Sequence, residues 1–116
     1  MSNLTATRLL NRLLSRGKLR HLQVLMQLAE LGSVQRTAQA IGMTQSAVTQ
    51  NLAYLEQLLE MPLFIRHARG VMPTLACQAL LPTVQQLMLG MAQGADVLAS
   101  VRQEGRLTLR LLASSS

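Results

Sequence analysis

The sequence predicts a mainly α-helical fold: an N-terminal helix, three further helices, a two-stranded hairpin and a long final helix. Three observations carry this. Of the 116 residues 49% are apolar, yet Phe64 and Tyr54 are the only aromatic ones. A core restricted to Leu, Met, Val, Ile and Ala favours helix over strand. Apolar residues recur at helical spacing in segments closed by Gly17, Gly32 and Gly42. Between Leu75 and Ala95 there is no charged residue, and apolar positions there keep heptad spacing. The length suits one compact domain with one extra element.

The elements follow in order. Residues 4 to 16, "LTATRLLNRLLSR", place Arg8, Arg12 and Arg16 on one stripe and Leu9, Leu10, Leu13 and Leu14 on another. This basic amphipathic helix is an extension over residues 1–17. It is read as packing on a neighbouring helix or partner chain, with phosphate contacts or membrane adsorption as alternatives. In "KLRHLQVLMQLAELGS", Leu19, Leu22, Met26 and Ala29 form an apolar stripe that Leu25 and Leu28 widen. Ser33 can cap a second short helix, "VQRTAQAIG", which Gly42 ends. Thr44 caps a third, on which Val48, Leu52, Leu55 and Leu59 face inward until Pro62 closes it. Leu63 to Ile65 and Val71 to Met72 flank "RHARG", a tight reversal with Arg66 and Arg69 at its exposed end. Thr74 caps a long helix to about Gln103, roughly 44 Å in length.

Three helices followed by a basic hairpin make a winged helix-turn-helix, here over residues 18–73. Gly42 supplies the left-handed backbone of the turn, and Ala38 is small where the two helices cross. Ile41, Met43 and Val48 fill the angle between them. Net charge is +6, from eleven Lys and Arg against five acids, so a polyanion is the first partner to consider. Yet "AIGMTQSAVTQNL", residues 40–52, carries no charge. A helix lying in the major groove reads base edges with matched donors and acceptors, while cations hold phosphates. Gln45, Ser46, Thr49 and Gln50 fall opposite the apolar face, and Gln suits the edge of adenine. Arg36, Arg66, Arg69 and the N-terminal arginines stand at the margins. An ordinary solvated helix face explains the polarity but not the absence of Glu and Lys.

Residues 18 to 74, above all "GSVQRTAQAIGMTQSAVTQNLAYLE" and "PLFIRHARGVMPT", resemble the DNA-binding domain of the LysR-type transcriptional regulators. The resemblance implies that Gln45, Ser46, Thr49 and Gln50 meet DNA in the major groove. It implies that Ser33, Thr37 and Thr44 lie near backbone phosphates and that Arg66 and Arg69 belong to the wing. Many members carry Pro where Ser46 stands, Arg where Gln50 stands and Gly where Cys77 stands. The N-terminal Arg/Leu segment exceeds the family's usual leader.

Cys77, Leu80, Val84, Leu87, Met91, Gly94, Leu98 and Val101 alternate steps of three and four. Such a seam needs a partner helix, most simply that of a second chain. Residues 74–103 therefore read as a linker and dimerisation helix, with Leu80, Val84, Leu87, Met91 and Leu98 as its contacts. The resemblance implies the same, and burial on the chain's own first helix is the competing reading. Pro82 should kink the helix or end its first turns. Gln78, Gln85, Gln86 and Gln93 argue against a membrane span. Beyond Glu104, Leu107, Leu109 and Leu111 alternate like a strand, and by resemblance residues 104–116 open an effector-binding domain that this chain does not complete. A small-molecule effector would belong only to a longer form.

His21 and His67 are far apart in sequence and, with one cysteine, make no metal pattern. His21 reads as a helix-surface residue and His67 as an added donor on the wing. Cys77 reads as a packed thiol, with redox sensing the alternative. No phosphate loop or nucleophile constellation points to an enzyme, and no cofactor or metal is expected. The N-terminus, interrupted by arginines, does not read as a secretory signal. The whole reads as a bacterial, cytoplasmic regulator that binds double-stranded DNA sequence-specifically as a homodimer on a partly symmetric site. The alternative is a basic helical module docking on an acidic protein or membrane surface.

Overall fold

A computed structural model describes residues 5–114, with side chains to residue 106. The chain runs α1 (Ala6–Arg16), α2 (Leu19–Leu31), α3 (Val34–Ile41), α4 (Gln45–Leu59), β1 (Phe64–His67), β2 (Gly70–Pro73) and α5 (Leu75–Ser114). It divides into two units, Met1–Val84 and Gln85–Ser116.

Local chemistry sets most helix ends in the first unit. Thr5, Ser33 and Thr44 each accept a hydrogen bond from the backbone N–H three residues on, at 3.2, 3.1 and 3.0 Å. Gly32 and Gly42 close α2 and α3 in the left-handed conformation. Helix α4 ends instead on left-handed Glu60, two residues before Pro62. Val24, Ala38 and Val48 form the core of the α2–α3–α4 crossing, and Val34, Ile41 and Met43 pack around it. The expected filling of the helix-turn-helix angle is what the chain does.

On α2 the apolar stripe is turned from the expected one. His21, Val24, Leu25 and Leu28 are buried, whereas Leu19 is exposed. The helix meets α3, α4 and β2, and the residues facing them are sealed, whereas Leu19 at its start stays exposed. His21 is not a surface residue. Its Nδ1 accepts the Lys18 backbone N–H at 3.1 Å, and its ring lies 4.9 Å from that of Tyr54. Burial, and then the nearby Lys18 ammonium, hold its imidazole below the ordinary value of 6.5. The Tyr54 hydroxyl donates to the Arg16 carbonyl at 3.1 Å, and Arg12 donates to the Leu58 carbonyl at 2.9 Å and pairs with Glu60 at 2.7 Å. These contacts dock α1 on α4. Leu9 and Leu13 of α1, with Leu59, Met61, Leu63 and Leu80, line an apolar groove of about 450 Å³.

Strands β1 and β2 pair antiparallel, with Phe64 opposite Pro73 and His67 opposite Gly70. Two short strands alone are marginal, so the hairpin depends on its anchors. The Glu56 carboxylate accepts the Leu63 and Phe64 N–H groups at 2.7 and 3.2 Å. Val71 N–H donates to the Gly32 carbonyl at 3.1 Å, and Leu63 and Val71 are buried. Gly70 is not a central turn residue, as its place in "RHARG" suggested, but the first of β2. Its φ of +140° and the Gly32 carbonyl lying where a Cβ would be require glycine.

Thr74 accepts the Cys77 N–H at 3.3 Å and starts α5. Cys77 and Val84 are buried and Leu80 is half-buried within the first unit. Burial, with the Glu56 carboxylate second, pushes the Cys77 thiol up to about 11, which makes it a packed and unreactive sulfur. The helix neither ends at Pro82 nor stops near Gln103. The strand expected beyond Glu104 is helical to Ser114. Leu107 and Leu111 also satisfy i, i+4 spacing, and Leu and Arg are strong helix formers.

In the second unit every described residue from Gln85 to Arg106 is exposed except half-buried Met88. Leu75–Arg106 is long and apolar enough to cross a bilayer by length and composition. Its first turns, however, already serve the protein core through Cys77 and Val84.

Candidate nucleic-acid interface

The interface is built on α4, and Thr44 sets where that helix begins. Its Oγ1 accepts from Ala47 N–H, and its own O–H proton stays available to a phosphate oxygen. Ser33 stands in the same relation to α3 through Arg36 N–H. Beyond Thr44, burial of Val48, Leu55, Leu58 and Leu59 fixes which side of α4 faces the core. Gln45, Ser46, Thr49 and Gln50 are consequently all exposed. Asn51 is turned away from this group, donating from Nδ2 to the Ala47 carbonyl at 2.8 Å.

The wing joins this face. Thr49 and Arg66 line one depression of about 160 Å³, floored by Val34, Leu52, Phe64 and Val71. Arg36, Arg66 and Arg69 are exposed. Residues 31–55 contain no carboxylate, and Glu56, which also lines the depression, has its carboxylate engaged by the Leu63 and Phe64 N–H groups. Neutral amides and hydroxyls at the centre with cations beside them can read base edges and grip phosphates.

One expected residue does not belong. Thr37 is fully buried, and its Oγ1 has no hydrogen-bond partner among the described residues. The crossing of α2, α3 and α4 seals it, so it cannot reach a phosphate. The expected dimer seam also changes. Val84 is sealed within its own chain and Leu80 lines the apolar groove, whereas Leu87, Met91 and Leu98 are exposed.

Sequence reasoning missed Glu56, which ties the wing to α4. The available signal was that Glu56 is the first acid after Glu30, alone on an otherwise uncharged helix. It also missed the Gly32–Gly70 approach, which has no local sequence mark.

The pattern described as "Bacterial regulatory helix-turn-helix protein, lysR family" matches residues 19–78. The chain is 38% identical over 85 residues to the HTH-type transcriptional regulator GalR of Pseudomonas putida, covering 66% of this chain and 21% of that protein. It thus spans about a fifth of that relative's length. A probable transcriptional regulator from Pseudomonas aeruginosa matches with TM-score 0.67 and 28% identity, over 74% of this chain and 28% of that one. The CbnR DBD–DNA complex matches with TM-score 0.66 and 24% identity, over 72% and 97%, a likeness of fold. With the family pattern spanning the whole of α2 to the start of α5, the chain belongs to the LysR family of bacterial helix-turn-helix regulators.

Proposed function

We propose that this chain is the DNA-binding part of a bacterial transcription regulator that acts in the cytoplasm. It binds double-stranded DNA sequence-specifically, as a homodimer on a partly symmetric operator. Helix α4 enters the major groove with Gln45, Ser46, Thr49 and Gln50 toward the bases. Ser33, Arg36, Thr44, Arg66 and Arg69 hold phosphates. Leu87, Met91 and Leu98 of α5 meet their counterparts in the second copy. The carrying observation is the exposed, uncharged amide and hydroxyl face at the start of α4, within the acid-free residues 31–55, together with exposed Arg36, Arg66 and Arg69. Docking on an acidic protein or membrane would not need that neutral face.

Operator fragments selected from random DNA provide the test. Affinity should fall steeply between about 50 and 200 mM salt, while preference over a scrambled duplex persists. Changing Gln45 and Gln50 together to Ala should abolish that preference, and its survival would contradict base reading by α4. Arg69→Ala should weaken all duplexes alike and reduce the salt slope by about 1.

A further inference from the structure

The wing reverses through Ala68 and Arg69, since the register pairs His67 with Gly70. Glu60 is the only non-glycine residue with positive φ among the described residues, so neither Ala68 nor Arg69 has one. The turn is therefore not of type I′, whose twist matches a hairpin. In a four-residue turn the backbone bond, where made, runs from the fourth N–H to the first carbonyl. The third N–H, here that of Arg69, is left without a turn partner. His67 supplies one: the Arg69 N–H donates to His67 Nδ1 at 3.2 Å. A neutral imidazole has one acceptor and one donor nitrogen, so a proton acceptor at Nδ1 leaves the ring proton on Nε2. The ring is exposed, and Arg66 and Arg69, next to it along the chain, are exposed as well.

We propose that His67 is a DNA-contacting residue of the wing, held by the Arg69 N–H so that its Nε2–H donates to a phosphate oxygen. This rests on the DNA-binding reading above and adds an uncharged contact to the two arginines. A neutral donor displaces no counterion, so its loss weakens binding without altering the salt dependence. It touches no base, so every duplex is affected alike.

Three substitutions at this position separate the parts. In His67→Asn the amide oxygen can accept the same N–H, as in an Asx-turn, while the NH₂ group donates outward. In His67→Asp the carboxylate holds the turn but offers phosphate a negative charge. His67→Ala does neither. Binding of the 116-residue chain to selected and scrambled duplexes, across salt concentrations, should leave Asn close to wild type. Ala and Asp should weaken both duplexes by about tenfold, with the salt slope of Ala unchanged. Wild-type affinity in either the Asp or the Ala variant would overturn the proposal, as would a slope that falls by one in Ala. In the free protein, ¹⁵N spectra should show the Nε2-protonated ring, and an Nδ1-protonated ring would overturn the positioning. Failure of the wild-type chain to bind any duplex would instead refute the DNA-binding reading.

Discussion

Ser33 and Thr37 lie four residues apart, yet one caps α3 at a half-exposed position and the other, within the helix, is sealed in the core. A buried hydroxyl without a partner costs stability, so Thr37→Val should raise the unfolding free energy by about 1 kcal/mol in urea titration. DNA affinity should be unchanged, because the side chain does not reach the surface. His21 makes the complementary case. Its folded imidazole is held below 6.5, so under acid the unfolded chain takes up the proton first. Stability should therefore be level above about pH 6.5 and decline as pH falls through the folded value. Protonation would also remove the Nδ1 acceptor of the Lys18 N–H. Thermal melts of wild type and His21→Gln between about pH 5 and 8 should show the decline in the wild type and a shallower one in the variant. The caps Ser33 and Thr44 were legible because capping involves only neighbouring residues. The fates of Thr37 and His21 were not, because helix crossing decides the first and Tyr54, 33 positions along the chain, helps decide the second.

Among the elements, the turn of the helix-turn-helix offers the cleanest test. Gly42 has φ +67°, and nothing lies within 4 Å of a Cβ built on it. Gly42→Ala should thus lose only the backbone preference, about 1–2 kcal/mol of stability by denaturant midpoint. Gly70→Ala meets both an unfavourable φ and the Gly32 carbonyl, so it should lose more and displace the wing. Helix existence and order were readable from spacing and glycines, as was the hairpin. The stripe on α2 was misplaced because periodicity gives a face but not how many neighbours enclose it. The end of α5 was misread because leucines two apart over a short span fit helix as well as strand.

For the molecule as a whole, the decisive feature is the exposed apolar face of α5 beyond Val84. Leu87, Met91 and Leu98 are 42, 47 and 71% exposed, while Val84 upstream is 2% exposed. The heptad spacing was legible, but not that the chain's own core takes up Val84 and leaves the later positions exposed. Leu87→Glu combined with Leu98→Glu should convert a dimer to monomer in sedimentation experiments, and an unchanged mass would place the interface elsewhere. Val84→Glu should unfold the first unit instead, since it buries an unpaired charge.

The Glu56 carboxylate fastens the near end of the wing to α4, and the Gly32 carbonyl fastens its return strand to the turn before α3. Helix and wing consequently behave as the jaws of a calliper with a set opening. In the proposed mode of binding, a duplex whose groove and flanking backbone are out of register with that gap would have to bend or narrow to fit. Operator choice should then extend to base pairs that no side chain meets, through the ease with which those steps deform.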